Sequence, residues 1–249
     1  MFEKIKGKFG SIANTKEEIN LLHRVDLHSH LIPSIDDGVK SLDESISLIR
    51  QLKECGFKKI ITTPHTMSHR YNNTQETIHE GYEALKDELS RLEIDIEIEV
   101  ASEYYHDQHF LDLIENGEIL TFGDKYVLFE LSYNMKPFML EETVYKLKEA
   151  GYKPVLAHPE RYTYYDSKED YRKLKNMGLF FQINIISTQN FYGKKAKKAV
   201  EKIISLGMVD FIGSDIHSQK YMDTFKKSLS SDMYLKIITK NRIKNNRLR

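Results

Sequence analysis

The sequence predicts a single-domain α/β protein, built as one closed or nearly closed β/α barrel. An open doubly wound sheet is the other arrangement of the same elements. Three observations point there. Short apolar runs alternate with amphipathic helical segments along most of the chain. The runs are rich in Val, Ile or Phe with little polar alternation, which suits strands covered on both faces, as in a parallel sheet. No Gly/Ser/Pro-rich linker and no low-complexity tract divides the units.

Residues 1–24 read as a polar, partly helical extension ahead of a domain at 25–249. Phe2, Ile5 and Phe9 among Lys4, Lys6 and Lys8 make it weakly amphipathic, suited to a membrane surface or to a helix packed on the domain. The first apolar run is Val25–Leu27. Ser41 then precedes Leu42, Ile46, Ile49 and Leu52 on one helix face, and Gly56 ends that segment. The second run, Lys59–Thr63, is followed by a helical pattern from Thr74 to Leu92 carrying Ile78, Tyr82, Leu85 and Leu89. Ile96–Ala101 and Tyr126–Leu131 are the third and fourth runs. Val144 and Leu147 lead through Gly151 to the fifth, Pro154–Ala157. The sixth is Leu179–Ile186. Ala196, Val200, Ile203 and Ile204 lead through Gly207 to the seventh, Val209–Gly213. Helix, glycine, then strand is the ordinary return of a β/α unit.

Composition narrows the function. The 249 residues are 40% hydrophobic and 30% charged, as in a globular protein. The 37 basic residues balance 37 acidic ones, which argues against bulk nucleic-acid binding. No apolar run approaches the roughly 20 residues that span a bilayer, and the N-terminus lacks the apolar core of a signal peptide. The single cysteine, Cys55, excludes a disulfide framework and a multi-cysteine zinc site, and suggests a reducing, cytoplasmic setting.

The chemistry lies at the strand ends, where a parallel β/α barrel forms its site. The first strand ends in Asp26-Leu27-His28-Ser29-His30, and the second in Thr63-Pro64-His65. The third ends in Ala101-Ser102-Glu103 and the fourth in Phe129-Glu130. The fifth ends in Ala157-His158-Pro159-Glu160-Arg161, and the last in Ser214-Asp215-Ile216-His217. Only the sixth, ending near Asn184, offers neither His nor carboxylate. In His28-x-His30 and Asp215-x-His217 the two side chains share one side of an extended chain. Such pairs converge on a common ion, and imidazole with carboxylate suits Mn²⁺, Zn²⁺ or Fe²⁺.

Each feature alone has an ordinary reading. One His-x-His pair is common without a metal, a lone histidine is usually hydrogen-bonded in a core or on the surface, and a strand-end glutamate is usually solvated. The weight lies in coincidence at six strand ends of about seven. Burying that many unpaired ionisable groups at one rim would cost several kcal/mol each, which bound cations offset. His23, His69, His79, His106 and His109 fall outside the pattern and read as surface or supporting residues. Tyr104 and Tyr105 suit either a pocket mouth or packing.

The segments DLHSHLIPSIDDG, ITTPH, ASEYY, LFELS, VLAHPERY and GSDIH, in this order and spacing, resemble the polymerase-and-histidinol-phosphatase (PHP) superfamily. More narrowly they resemble its bacterial capsule and exopolysaccharide branch, the manganese-dependent protein tyrosine phosphatases. The resemblance covers roughly Val25 to His217. It implies a distorted (β/α)7 TIM-like barrel with three divalent ions. His28, His30 and Asp215 would hold the first, and Glu103 would bridge to the second, completed by Glu130 and His158. Asp37, His65 and His217 would hold the third, with Asp36 the alternative to its neighbour Asp37. Arg161 would contact the substrate phosphate. Some relatives carry an arginine in the loop after Asp-x-His; here it reads SQKYMD, so only Lys220 stands as a substitute.

The implied chemistry uses a metal-bridging hydroxide rather than a protein nucleophile. Cysteine phosphatases need Cys-x5-Arg, and the residue six after Cys55 is Ile61. Three divalent ions against four carboxylate ligands and a hydroxide leave about one positive charge, which Arg161 raises to about two. The implied partner is a phosphotyrosine protein, an autophosphorylating kinase controlling polysaccharide export. A small-molecule phosphatase of the histidinol-phosphate type is the alternative within the fold. A phosphodiesterase and a non-catalytic module binding a tyrosine-rich tail are the others.

Overall fold

The computed structural model describes residues 24–248. The N-terminal extension and His23 therefore lie outside the described residues, except for Arg24. The strands are β1 (Val25–Asp26), β2 (Lys59–Thr62), β3 (His65–Thr66), β4 (Glu97–Val100), β5 (Glu103–Tyr105), β6 (Tyr126–Glu130), β7 (Lys153–Ala157), β8 (Phe180–Asn184) and β9 (Phe211–Gly213). They form two sheets, ordered β1-β2-β4 and β3-β5-β6-β7-β8-β9, and every strand pair is parallel.

Short breaks divide β2 from β3 and β4 from β5. Pro64, without an N–H, cannot continue the ladder. The chain bridges the gap elsewhere: Ala101 donates to the Thr62 carbonyl at 3.0 Å and Glu103 to that of Pro64 at 3.0 Å. At the far edge, Asp215 N–H donates to the His28 carbonyl at 2.7 Å and His30 N–H to that of Ile216 at 2.9 Å. The end of β9 is thus bonded to the segment that follows β1.

The strands bury both faces, as their unbroken apolar runs require. Leu128, Val155, Ala157 and Phe211 point one way, into a cluster with Val25, Leu27, Ile61 and Ala101. Their neighbours Val127, Phe129, Leu156 and Ile212 point the other way, into the larger core beneath the helices.

Helices α1 (Leu42–Glu54), α2 (Gln75–Arg91), α3 (Gln108–Asn116), α4 (Leu140–Glu149), α5 (Lys168–Asn176), α6 (Gly193–Ser205), α7 (Gln219–Leu229) and α8 (Asp232–Lys240) cover the sheets. Ser41 caps α1 by accepting from Glu44 N–H at 3.2 Å. Thr74 and Thr77 cap α2 reciprocally. One expectation needs correction. The sixth strand stops at Asn184, and Ile185–Gln189 turn as a 3-10 helix. His109 lies on a helix for which no apolar pattern was read: Asp107 caps α3 and Phe110 and Ile114 supply its buried face. None of the described helices is long and apolar enough to cross a membrane.

The C-terminal segment clips β1 and β9 together. Asn245 is fully buried; its amide donates to Val25 and Ile212 carbonyls at 3.0 and 2.7 Å and accepts from Ile212 N–H at 3.0 Å. Asn245→Ala strands all three groups. It should lower unfolding free energy by about 2–4 kcal/mol in urea titration, whereas an unchanged midpoint would show that the clip contributes nothing.

Candidate metal centre

The strand order brings the candidate residues from six strand ends to one rim. His28 and His30 follow β1, His65 starts β3, Glu103 starts β5, Glu130 ends β6, His158 follows β7, and Asp215 and His217 follow β9. Asp37 reaches them from the loop before α1. Except for Asp37, which is part-exposed, these side chains are buried or nearly so.

Glu103 is the hub. Its Oε2 lies 3.1 Å from His28 Nε2, 3.4 Å from His30 Nε2 and 3.3 Å from His65 Nδ1, and its Oε1 lies 2.8 Å from His158 Nε2. Asp215 Oδ1 lies 3.4 Å from His28 Nε2 and 3.5 Å from His30 Nε2. Glu130 Oε1 is 3.4 Å from His65 Nδ1, and its Oε2 is 4.0 Å from His158 Nε2. Asp37 Oδ1 stands 3.5 Å from Nε2 of both His65 and His217. Three overlapping groups have ligand atoms close enough to share an ion: His28, His30 and Glu103; His65, Glu103 and Glu130; and His30, Asp37, His65 and His217.

The surroundings orient these atoms. Gln182 Oε1 accepts from the His158 backbone N–H at 3.3 Å and lies 3.0 Å from His28 Nδ1, so it accepts that ring's Nδ1–H and leaves the Nε2 lone pair facing inward. Asp36 Oδ2 does the same for His30 through Nδ1 at 2.7 Å, and the Asp215 carbonyl for His217 at 2.8 Å. His28 Nε2 and His30 Nε2 then face each other across 3.2 Å, with two carboxylates beside them. Such a set is unfavourable unless a cation or a proton sits among the atoms. His65 Nδ1 and His158 Nδ1 are buried without a hydrogen bond. The donor set fits divalent metal, with nitrogen and oxygen ligands and no thiolate.

Protonation follows the same geometry. Burial opposes the charged form of His28, but Glu103 and Asp215 outweigh it and hold its pKa above the ordinary value. Burial disfavours a charged Glu103 too, yet His28, His65 and His158 hold it well below the usual range. Glu130 has no such excess of cations: burial and the Glu103 charge push it well up. Burial pushes His65 and His158 down to about 4, with Arg161 adding to the effect at His158.

The adjacent aspartates separate. Asp36 spends its oxygens on His30, the His65 N–H at 3.1 Å and the Gly38 N–H at 2.8 Å. Asp37 presents an oxygen to the two histidines. A cavity of about 270 Å³ opens over the cluster, and Arg161 lines it. The Arg161 guanidinium lies 4.5 Å from the Tyr133 ring centre and 4.1 Å from that of Tyr192, with Nη1 3.2 Å from Asp215 Oδ2. A larger cleft of about 690 Å³ beside Lys136, Tyr165 and Lys173 carries no histidine, so size does not mark the chemistry.

Lys220 is exposed, with its amine over the Phe191 ring, and is not among the cavity's lining residues. Tyr104 packs against Phe110 in the core, whereas Tyr105 lines the cavity. Sequence reasoning missed Gln182, Asn184 and Tyr192. Asp215 Oδ2 accepts from Asn184 Nδ2 at 2.6 Å and from Tyr192 Oη at 2.7 Å, and Gln182 donates to Asn184 at 2.9 Å. Gln182-x-Asn184 repeats the spacing of His28-x-His30, a signal passed over because neither residue ionises.

Fold and rim together define a parallel α/β protein with side-chain clusters suited to divalent metal. The chain belongs to the capsular polysaccharide synthesis CpsB/CapC family, which it matches over residues 24–242. It is 31% identical to the putative tyrosine-protein phosphatase CapC of Staphylococcus aureus over 85% of this chain and 84% of that one. It is 29% identical to the tyrosine-protein phosphatase CpsB of Streptococcus pneumoniae, over 78% and 83% of the two chains. Its fold matches a crystal structure from work on YwqE of Bacillus subtilis and CpsB of S. pneumoniae, described as metal-dependent tyrosine phosphatases. The TM-score is 0.74 at 24% identity, over 90% and 93% of the chains. Organophosphorus hydrolase of Deinococcus radiodurans shares the fold more distantly, with TM-score 0.52, 10% identity, and 92% and 93% covered.

The depressed histidines predict a pH effect in metal-free protein. Unfolded, His65 and His158 take up protons near pH 6.5; folded, they resist until about pH 4. The stability they contribute is present above 6.5 and is lost as pH falls to about 4, on the order of 3 kcal/mol for each. His158→Gln should flatten that arm of a urea-stability profile measured with chelator. An equally steep profile would mean that His158 is already charged in the folded chain.

Proposed function

We propose that this protein is a metal-dependent protein tyrosine phosphatase, acting on phosphotyrosine of a bacterial tyrosine kinase that controls capsular or exopolysaccharide synthesis. The observation that carries the reading is the convergence of buried imidazole and carboxylate atoms beneath a cavity that also presents Arg161. The named activities of the CapC and CpsB relatives support the same conclusion.

We assign the chain to the PHP superfamily and read its two parallel sheets as one distorted (β/α)7 barrel, the bonds between the ends of β1 and β9 making the join. Residues 25–249 form the catalytic domain and residues 1–24 an extension. In this reading His28, His30 and Asp215 hold one ion, shared through Glu103 with a second on Glu130 and His158. Asp37, His65 and His217 hold a third. The ions are Mn²⁺ by family resemblance, and a nitrogen and oxygen donor set is compatible with that choice. A cytoplasmic setting suits the single unpaired thiol of Cys55.

When bound, divalent ions lower the pKa of coordinated water and neutralise phosphate oxygens. The chain supplies the rest. Asp215 keeps Oδ1 toward the ions because Asn184, Tyr192 and Arg161 occupy Oδ2. Arg161, held between two tyrosine rings, offers its remaining N–H groups to the phosphate as a planar fork. Tyr71, Tyr105, Tyr133 and Tyr221 line the cavity and suit the faces of a phenyl ring. A phenol leaves with a pKa of about 10, so little general-acid help is needed.

Metal analysis and hydrolysis of a phosphotyrosine peptide on the same preparation test the reading. Chelation should abolish turnover and Mn²⁺ should restore it. Asp215→Ala should lose both metal and activity while keeping its circular dichroism spectrum; full activity in that variant would refute the assignment. Arg161→Ala should raise KM and lower kcat/KM by about 100-fold, and wild-type kinetics would remove Arg161 from phosphate binding. Faster turnover of histidinol phosphate than of peptide would favour the small-molecule alternative.

A further inference from the structure

The cavity has a second guanidinium that the reaction as described does not use. Arg70 lines it from the loop between β3 and α2. Its Cζ lies 4.9 Å from the centre of the Tyr71 ring, and Tyr71 stacks on His65 with centres 5.5 Å apart and planes 13° apart. The arginine is therefore tied to the metal-site floor through one aromatic ring. It forms no ion pair with any described carboxylate, unlike Arg161 on Asp215.

The loop that carries it is fixed. Met67 N–H donates to the Tyr71 carbonyl at 2.8 Å, and the Tyr71 and Arg70 N–H groups donate back to the Met67 carbonyl at 2.9 and 3.1 Å. Ser68 Oγ is anchored on Asp107 Oδ2 at 2.8 Å, and Asn73 Nδ2 bonds the Ile35 and His65 carbonyls at 2.9 and 2.8 Å. A cation held on such a loop loses little freedom when it binds an anion.

Position selects the anion. The reacting phosphate must reach the buried ligand atoms at the floor, beside Arg161. Arg70 is exposed, so it meets the chain that carries the phosphotyrosine. We propose that Arg70 is a specificity-determining residue that binds a carboxylate side chain flanking the phosphotyrosine, so that the enzyme prefers acidic peptides. This rests on the phosphatase reading above.

The test uses the full metal-loaded chain and two phosphotyrosine peptides, identical except that the residues flanking the phosphotyrosine are Glu in one and Gln in the other. The wild type should show a kcat/KM ratio of about 5–10 in favour of the Glu peptide, expressed in KM and shrinking at high salt. Arg70→Gln should bring that ratio to about one, and Arg70→Lys should keep part of it. A wild type indifferent to the flanks, or an Arg70→Gln variant that keeps the preference, overturns the proposal. If Arg70→Gln lowers kcat for both peptides alike, Arg70 acts on the reacting phosphate and the proposal is again wrong. Failure of the loaded wild type to hydrolyse either peptide would instead defeat the phosphatase reading, and the proposal with it.

Discussion

The constraint on which the structure turns is the approach of electron-rich atoms at one rim. His28 Nε2, His30 Nε2, Glu103 Oε2 and Asp215 Oδ1 crowd within a few ångströms, buried from water. Left alone the carboxylates repel, and Glu103 and Asp215 raise the pKa of His28 against the effect of burial. The backbone accepts strain to hold them. His158 and Asp215 both take left-handed conformations, at φ 34° and 52°, which for non-glycine residues costs about 1–3 kcal/mol each. Both lie within two residues of a strand's end, where the chain must turn a side chain back over the rim.

A second layer makes that strain tolerable. Gln182 and Asn184 run from His28 to Asp215 in a line of hydrogen bonds beneath the floor. Asp26, one turn of the pleat below His28, accepts from Ser214 N–H and Oγ at 2.8 and 2.6 Å, and burial raises its pKa to about 6. Packing is close enough to restrict residue choice. A Cβ on Gly213 would stand 2.6 Å from His28 Cβ and 2.7 Å from Gln182 Nε2, and one on Gly38 would stand 2.6 Å from His30 Cβ. These glycines are spacers for His28 and His30.

The strands and the clustered histidines were legible because their signals are local. Unbroken apolar runs marked doubly covered strands, and the helical patterns opening at Ser41 and Thr74 begin where those residues cap α1 and α2. Helix α3 was not legible: it is only nine residues long and buries just Phe110 and Ile114, too short a stretch for a helical period to stand out. The rim ionisable residues were visible from their strand-end positions. The groups that aim them were not, since Tyr192 comes from the turn before α6 and reaches Asp215 only in three dimensions. Asp36 and Asp37 could not be told apart by spacing. Their difference arises from which oxygens the Gly38 and His65 N–H groups already occupy.

The balance of 37 basic and 37 acidic residues takes on a different meaning at the site. Four carboxylates face the rim, so the metal-free floor disfavours a phosphate, and Arg161 is the cation that stands beside it. Divalent ions held by these groups would reverse the sign of the floor. Substrate affinity and metal occupancy would then be coupled through one set of charges, with no conformational change required. The arginines do not substitute for the ions. Arg161 is partly neutralised by Asp215, and Arg70 sits at the exposed lip. Under the proposed function, phosphate binding would follow from metal binding, with Arg161 at the phosphate and Arg70 at the residues that flank it.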